Sequence, residues 1–372
     1  MDRTRELIFC TVFTLLCFGV LTVYSVSISP TVSDGTLVRR HVLYMLVSLM
    51  AMGLGSMVDY HRLARMRYVL LAVAMALLVL VLVFGVTVNG ARRWFRFGPF
   101  SFQPSELAKL CLIIYMADVL ARKQEHIREF FQGFVPPVLI VGLAFALIML
   151  QPDFGSAVLI AMTLFAILFV AGIRLSHVFL IIVLAAPAMV YLIATEPYRL
   201  RRVFMFINPW EDPSGAGYQL VQSFIALSSG WLFGVGPGAS LQKLSYLPEA
   251  SGDFAFAILG AELGFLGCVA VIGLFAFLMW QGIRVCRTAP DLFGNLLACG
   301  IVCMIGLQAL VNIAVVTGSM PTKGLPLPFV SFGGSSLVIS AFAVGLLLNV
   351  AGHCKVETPP EVLGAKRMVG EP

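Results

Sequence analysis

The run Tyr68-Val69-Leu70-Leu71-Ala72-Val73-Ala74-Met75-Ala76-Leu77-Leu78-Val79-Leu80-Val81-Leu82-Val83-Phe84 holds seventeen residues without a charge, with Arg65 and Arg67 before it and Asn89-Gly90 after it. That approaches the roughly 20 apolar residues an α-helix needs to cross a hydrocarbon layer, so the run predicts a membrane span. Apolar residues make up 59% of the 372-residue chain and charged residues 12%, which leaves no soluble alternative. The pattern recurs near 8–28, 38–57, 67–88, 105–121, 133–150, 154–173, 176–195, 253–283, 293–317 and 329–351. The expected fold is therefore all-α: a polytopic membrane protein of ten transmembrane helices within residues 1–353. One long loop, about 196–252, joins helices 7 and 8, and residues 354–372 form a tail with no apolar period, expected to be disordered. The first apolar run has the length of a full span and no cleavage site, so it is expected to stay as an anchor.

Fourteen Lys and Arg side chains, Arg3, Arg5, Arg122 and Lys355 among them, fall on the side of the termini, and ten fall on the other. The excess puts both termini in the cytoplasm, and the long loop outside the membrane. Ten cations is still a large number for an outer face, and it suggests a negatively charged ligand there. Nucleic acid is excluded, because the basic residues are scattered over two faces and no span-free domain exists to hold them. The eight cysteines have neither paired loop spacing nor zinc-ligand spacing and read as small apolar fillers. The five histidines are scattered, so no dedicated metal site is expected, although a divalent cation riding on a diphosphate would need few protein ligands.

Charge inside an apolar helix needs a reason. Glu106 and Lys109, one turn apart at the start of the fourth span, can neutralise each other, either as a structural pair or as support for a reacting group. Asp153, in Gln151-Pro152-Asp153-Phe154-Gly155, stands where a helix N-cap would. Asp253 closes the segment Leu247-Pro248-Glu249-Ala250-Ser251-Gly252-Asp253 at the mouth of the eighth span, with Glu249 before it and Glu262 after it. A cap and a general base are both open readings for it, and the two are compatible.

Three further stretches line up with these carboxylates. Asn89 to Pro99 alternates basic and aromatic residues, including Arg92 and Arg93, as an interfacial belt or as a clamp for a phosphate-bearing lipid. In the long loop, Arg199, Arg201 and Arg202 sit in a basic-aromatic segment suited to the interface, and Tyr218 to Leu227 has helical apolar spacing. The stretch Thr317 to Ser336, dense in Pro and Gly, predicts a rigid irregular segment at membrane depth, tolerated only where its backbone is buried or lines a cavity. Its Ser331, Gly333, Gly334, Ser335 and Ser336 would form that wall. Lys243 and Lys323 add two more cations on the same side.

The strings Phe102 to Lys109, Pro152 to Gly155, Leu247 to Phe256 and Leu325 to Ser336, in this order among ten spans, resemble the SEDS family of cell-wall polymerases, and Pro321 to Pro328 looks more like its division members than its elongation members. The resemblance implies a peptidoglycan glycosyltransferase of the bacterial inner membrane, polymerising lipid II into undecaprenyl-diphosphate-linked glycan with its site outside the membrane. It implies a class B penicillin-binding protein and divisome regulators as partners, and Asp253 as the essential carboxylate. Glu106, Lys109, Asp153, Glu249 and Glu262 would support it. Arg92, Arg93, Arg199, Arg201, Arg202, Lys243 and Lys323, or a Mg or Mn ion, would meet the diphosphate. Gly252, Ala255 and Ala261 depart from the family's usual residues around Asp253 and touch local capping. A lipid II flippase that uses Glu106, Lys109 and Asp153 as a polar path is the competing class, and an elongation-type polymerase the nearer alternative.

Overall fold

The computed structural model describes residues 2–27, 36–88, 90–98, 100–195, 197–215, 217–240, 251–322 and 324–354. Lys243, Glu249, Lys323 and the tail from 355 onward lie outside the described residues. The helices are α1 (Asp2–Ser27), α2 (Thr36–Met57), α3 (Tyr60–Arg65), α4 (Arg67–Phe84), α5 (Pro104–Arg122), α6 (Val135–Leu150), α7 (Phe154–Val170), α8 (Leu175–Ala194), α9 (Pro197–Ile207), α10 (Tyr218–Ser229), α11 (Ala255–Thr288), α12 (Leu292–Val316) and α13 (Gly334–His353). Every expected span position holds one of them. Among the described residues seven helical segments are long and apolar enough to cross a membrane, and α7 is a shorter apolar helix. Helix α5 carries Glu106, Lys109, Asp118 and Arg122, more charge than a lipid-facing span would tolerate. It survives at membrane depth because nearly its whole surface, from Pro104 to Leu120, is buried in protein.

The bundle is built around α5, α12 and α13. Helix α13 is buried along most of its length and packs against α2, where glycines let the two backbones close. A Cβ on Gly345 would stand 2.3 Å from the Met52 carbonyl oxygen, and one on Gly55 would stand 2.6 Å from that of Phe342. The chain is a multi-pass helical membrane protein, its core made by small residues and apolar knobs rather than by expulsion of water.

Three local features differ from the sequence expectation. Within the basic-aromatic stretch, Ala91 to Phe97 form a strand of a small antiparallel sheet, β1 (Val86–Val88), β2 (Ala91–Phe97) and β3 (Phe100–Phe102), in that order, with Thr87 opposite Arg92 and Phe95 opposite Phe102. Its aromatic residues suit a strand as well as an interface. Helix α11 is also not one rod. Gly264 takes φ 68° and ψ −166°, a conformation that side chains other than glycine's rarely allow, and the helix breaks there. The freed backbone groups are taken up by the stretch before Gly238: Phe265 N–H donates to the Trp231 carbonyl at 2.8 Å, and the Val235 N–H to that of Ala261 at 3.0 Å. Finally, the N-cap of α11 is Phe254, so Asp253 stands one residue ahead of the capping position rather than in it.

At the end of the bundle that carries the start of α1 and the end of α13, a polar clamp joins three elements. Asp291 caps α12, its Oδ1 accepting from Gly294 N–H at 2.6 Å, while Oδ2 accepts from Tyr60 Oη at 2.8 Å and sits 2.8 Å from His61 Nε2. His61 Nδ1 lies 3.1 Å from Asp59 Oδ1, and Tyr60 N–H reaches Asn349 on α13 at 3.2 Å. Partial burial disfavours the charged imidazole, but the hydrogen bonds and charges of Asp291 and Asp59 outweigh it and raise its pKa above the ordinary 6.5. A raised histidine stabilises the fold fully below the unfolded value and loses that contribution as pH climbs past the folded one. His61→Gln should therefore lower the thermal midpoint at about pH 6, and the gap to the parent should shrink by about pH 8.5. The effect is small because the ring is 46% exposed. Thermal unfolding of detergent-solubilised protein across that range measures it.

Candidate functional site

At the opposite end of the bundle four chain segments converge: the start of α5, the start of α7, the turn Ser251 to Phe254, and the irregular stretch from Gly318 to Gly333. Asp153 behaves as its position suggested. It caps α7, Oδ1 accepting from Ser156 N–H at 3.2 Å. Its other oxygen accepts from Gln103 Nε2 at 2.9 Å and Ser105 Oγ at 3.4 Å, and Arg93 Nη1 on β2 stands 3.8 Å from Oδ1. A buried carboxylate is tolerated here because three donors and a nearby guanidinium share its charge. The Gln103 N–H in turn donates to Ser335 Oγ at 3.2 Å, which ties the start of α5 to the Gly-Ser run.

Glu106 and Lys109 form the expected pair, Nζ to Oε2 at 2.8 Å, with both side chains almost fully buried. Lys109 also donates to Gln308 Oε1 on α12 at 3.1 Å, and Gln308 Nε2 donates to the Pro326 carbonyl at 2.9 Å. One turn further along α12, Asn312 Nδ2 donates to the carbonyls of Leu325 at 2.7 Å and Asp253 at 2.8 Å. A chain of hydrogen bonds thus runs from the α5 ion pair through α12 to the turn that bears Asp253.

Asp253 itself is half-buried. Its carboxylate lies over the backbone of Gly324, where a Cβ would meet Oδ2 at 2.9 Å, so this residue has to be small. The turn is fixed from the other side too, since Phe332 N–H donates to the Ser251 carbonyl at 2.7 Å. The Gly-Ser run is packed and buried: Ser331 Oγ accepts from Leu327 N–H at 2.9 Å, Gly333 caps α13, Gly334 lies against Tyr44, and Ser336 is 7% exposed.

The remaining candidates separate. Arg202 Nη1 donates to the Thr322 carbonyl at 3.0 Å, which brings α9 to within two residues of Gly324 in the chain. Arg201 is instead held by Asp212 at 2.6 Å on the exposed side of α9, beside a cavity of about 430 Å³ lined by Leu200, Phe204, Met205, Ile207, Asn208 and Glu211 as well. Arg92 bonds Thr87 within the sheet at 3.2 Å, and Arg199 is on α9. Glu262 accepts from Ser25 of α1, just before the break in α11. Gln103, Gln308 and Asn312 escaped the sequence reading because a neutral amide in an apolar run carries no charge to draw notice. The signal that was available is their burial cost, since an amide at membrane depth is there to bond something. Among the described residues no three His, Cys, Asp or Glu side chains gather as a metal site.

Comparison with known proteins gives a consistent picture. The chain is 45% identical over 343 residues to a probable peptidoglycan glycosyltransferase FtsW of Geobacter sp. (strain M18), covering 91% of this chain and 94% of that one. It is 43% identical over 347 residues to the stage V sporulation protein E of Bacillus subtilis (strain 168), covering 92% and 95%. Among solved structures, one described as the structural coordination of polymerization and crosslinking by a peptidoglycan synthase complex superposes with a TM-score of 0.76 at 30% identity, over 92% of this chain and 96% of that one. The Thermus thermophilus rod shape determining protein RodA superposes at 0.70 with 27% identity, over 94% and 97%. The sequence profile of the cell cycle protein family named for FtsW, RodA and SpoVE matches residues 5–356, and the chain belongs to that family.

Proposed function

We propose that this chain, a peptidoglycan glycosyltransferase by its family and relatives, polymerises lipid II with Asp253 as the general base. The sugar 4-hydroxyl of one lipid-linked disaccharide attacks the anomeric carbon of the growing glycan. The bond to undecaprenyl diphosphate breaks on the opposite face, and Asp253 takes the hydroxyl proton. The observation that carries this reading is the setting of Asp253: a partly buried side chain on a turn whose backbone is held by Asn312 and Phe332. Asp153, Glu106 and Glu262 lie deeper, each almost fully buried. A base has to be fixed in place and still reach its substrate.

Of the candidate cations, Arg202 suits the leaving diphosphate best, because its bond to Thr322 sets it beside the stretch that cradles Asp253. Charge developing on the departing phosphates is stabilised by a guanidinium fixed nearby. A Mg or Mn ion, where one is used, would come in on the diphosphate. The site faces the outside of the cytoplasmic membrane, with both termini in the cytoplasm. The partner is a class B penicillin-binding protein that cross-links the product, within a division complex and its regulators. The relatives named FtsW support division over elongation as the cellular role.

Asp253→Asn, read by gel separation of glycan chains made from labelled lipid II, should remove polymerisation while leaving the thermal midpoint unchanged. Glycan of normal length from this variant would end the assignment, and transport of lipid II across vesicles without any chain growth in the parent protein would favour the flippase instead. A polar path through the membrane would need exchangeable partners, whereas Glu106 and Lys109 are locked to each other and to Gln308. Glu106→Gln or Lys109→Met alone should each destabilise the fold by about 3–5 kcal/mol, because each leaves a buried charge unpaired, and the double variant should recover most of that loss. Denaturant titration of the four proteins gives the coupling directly.

A further inference from the structure

We propose that Asn312 is a positioning residue for the reaction: its single amide sets where the carboxylate of Asp253 sits. The inference rests on the reading of Asp253 as the base. Asn312 is 2% exposed on α12, and both hydrogens of its Nδ2 are used, one on the Leu325 carbonyl and one on the carbonyl of Asp253 itself. Those two carbonyls belong to segments far apart in sequence, the turn before α11 and the stretch before α13. The Asp253 carboxylate crosses from the first to the second and lies over Gly324, the residue next to Leu325. The amide therefore fixes the two backbones between which the carboxylate is wedged. Gln308, one turn earlier on the same face, holds the following carbonyl, that of Pro326, and links it to the Lys109 and Glu106 pair.

A plain structural staple is the rival explanation, and one observation weighs against it. Among the described residues, Asn312 Oδ1 is buried without a partner. An orphaned acceptor costs about 1–3 kcal/mol, so the residue is a poor choice for stability alone. What it supplies in return is two donors from one rigid plane. Aspartate has the same shape but accepts only when ionised, and would turn both hydrogen bonds into repulsions between oxygens.

The test uses the purified full chain with labelled lipid II and its cross-linking partner, comparing the parent with N312D, N312A and D253N. N312D should lower kcat by about 10²-fold, the scale of a small misplacement of a reacting group, with KM for lipid II unchanged. Its rate relative to the parent should rise between about pH 7.5 and about pH 5.5, as the new carboxyl gains a proton and becomes a donor again. N312A, which removes both donors without adding charge, should fall between N312D and the parent. A merely structural role predicts a loss proportional to the fraction of folded protein at each pH, with a parental kcat per folded molecule throughout; that result would overturn the proposal. Should N312D not fold, N312A decides by the same comparison of kcat with KM. Full activity in D253N would remove the base assignment itself, whereas an inactive D253N beside a parental N312D would remove only the role given to Asn312.

Discussion

Hydrocarbon offers no hydrogen bonds, so every polar atom this chain carries to membrane depth has to be answered by another part of the same chain. That constraint organises the end of the molecule where Asp253 sits. The irregular stretch before α13 exposes carbonyls that a helix would have satisfied internally, and α12 answers two of them with Gln308 and Asn312. The start of α5 is open in the same way, and Ser335 and Asp153 answer it. Helix α11, broken at Gly264, borrows the backbone of Trp231 to Gly236 to complete its own ladder. Irregular backbone is thus allowed at three neighbouring places, each because a specific donor or acceptor is fixed opposite it.

The same rule explains which parts of the molecule were legible from sequence. Long apolar runs mark the helices, because length and hydropathy decide spanning, and the positions near 105–121 and 329–351 hold the helices Pro104–Arg122 and Gly334–His353 even though both face protein on nearly every side. Charges in those runs were equally visible: Glu106 with Lys109, and Asp153 as a cap, form the contacts their spacing implied. The break in α11 was hidden, since Gly264 lies among Glu262-Leu263 and Phe265-Leu266 with no proline to flag it, and its cause is a loop some thirty residues upstream. The hairpin of Ala91 to Phe102 was hidden by a different ambiguity. Basic and aromatic residues mixed in one short run suit an interface and a strand equally, and the pairing that separates the two is set by partner strands.

The basic residues show the limit most plainly. Sequence gathers Arg92, Arg93, Arg199, Arg201 and Arg202 on one side of the membrane as equals, but their neighbours divide them. Arg93 serves Asp153, Arg92 bonds within its own sheet, and Arg201 is held by Asp212. Arg202 donates to the Thr322 carbonyl, beside the stretch that holds Gly324. Two adjacent arginines of one amphipathic helix are thereby tied to different segments of the chain.

The contrast among the carboxylates follows the same logic and bears on chemistry. Asp153 gathers donors from Gln103, Ser105 and Ser156 with Arg93 nearby, and Glu106 has a lysine in contact; each is buried, and each is tied to groups that would have to move before a substrate could reach it. Such groups make the walls of a site rather than its moving part. Asp253 sits at a partly buried position on a turn whose backbone is held by Asn312 on one side and by Phe332 on the other, with its carboxylate lying over Gly324. Anchoring a residue by its main chain fixes the side chain's origin whatever the side chain itself meets. In this bundle the buried amides of α12 thus hold irregular backbone in place, while the ion pair of α5 holds the amides.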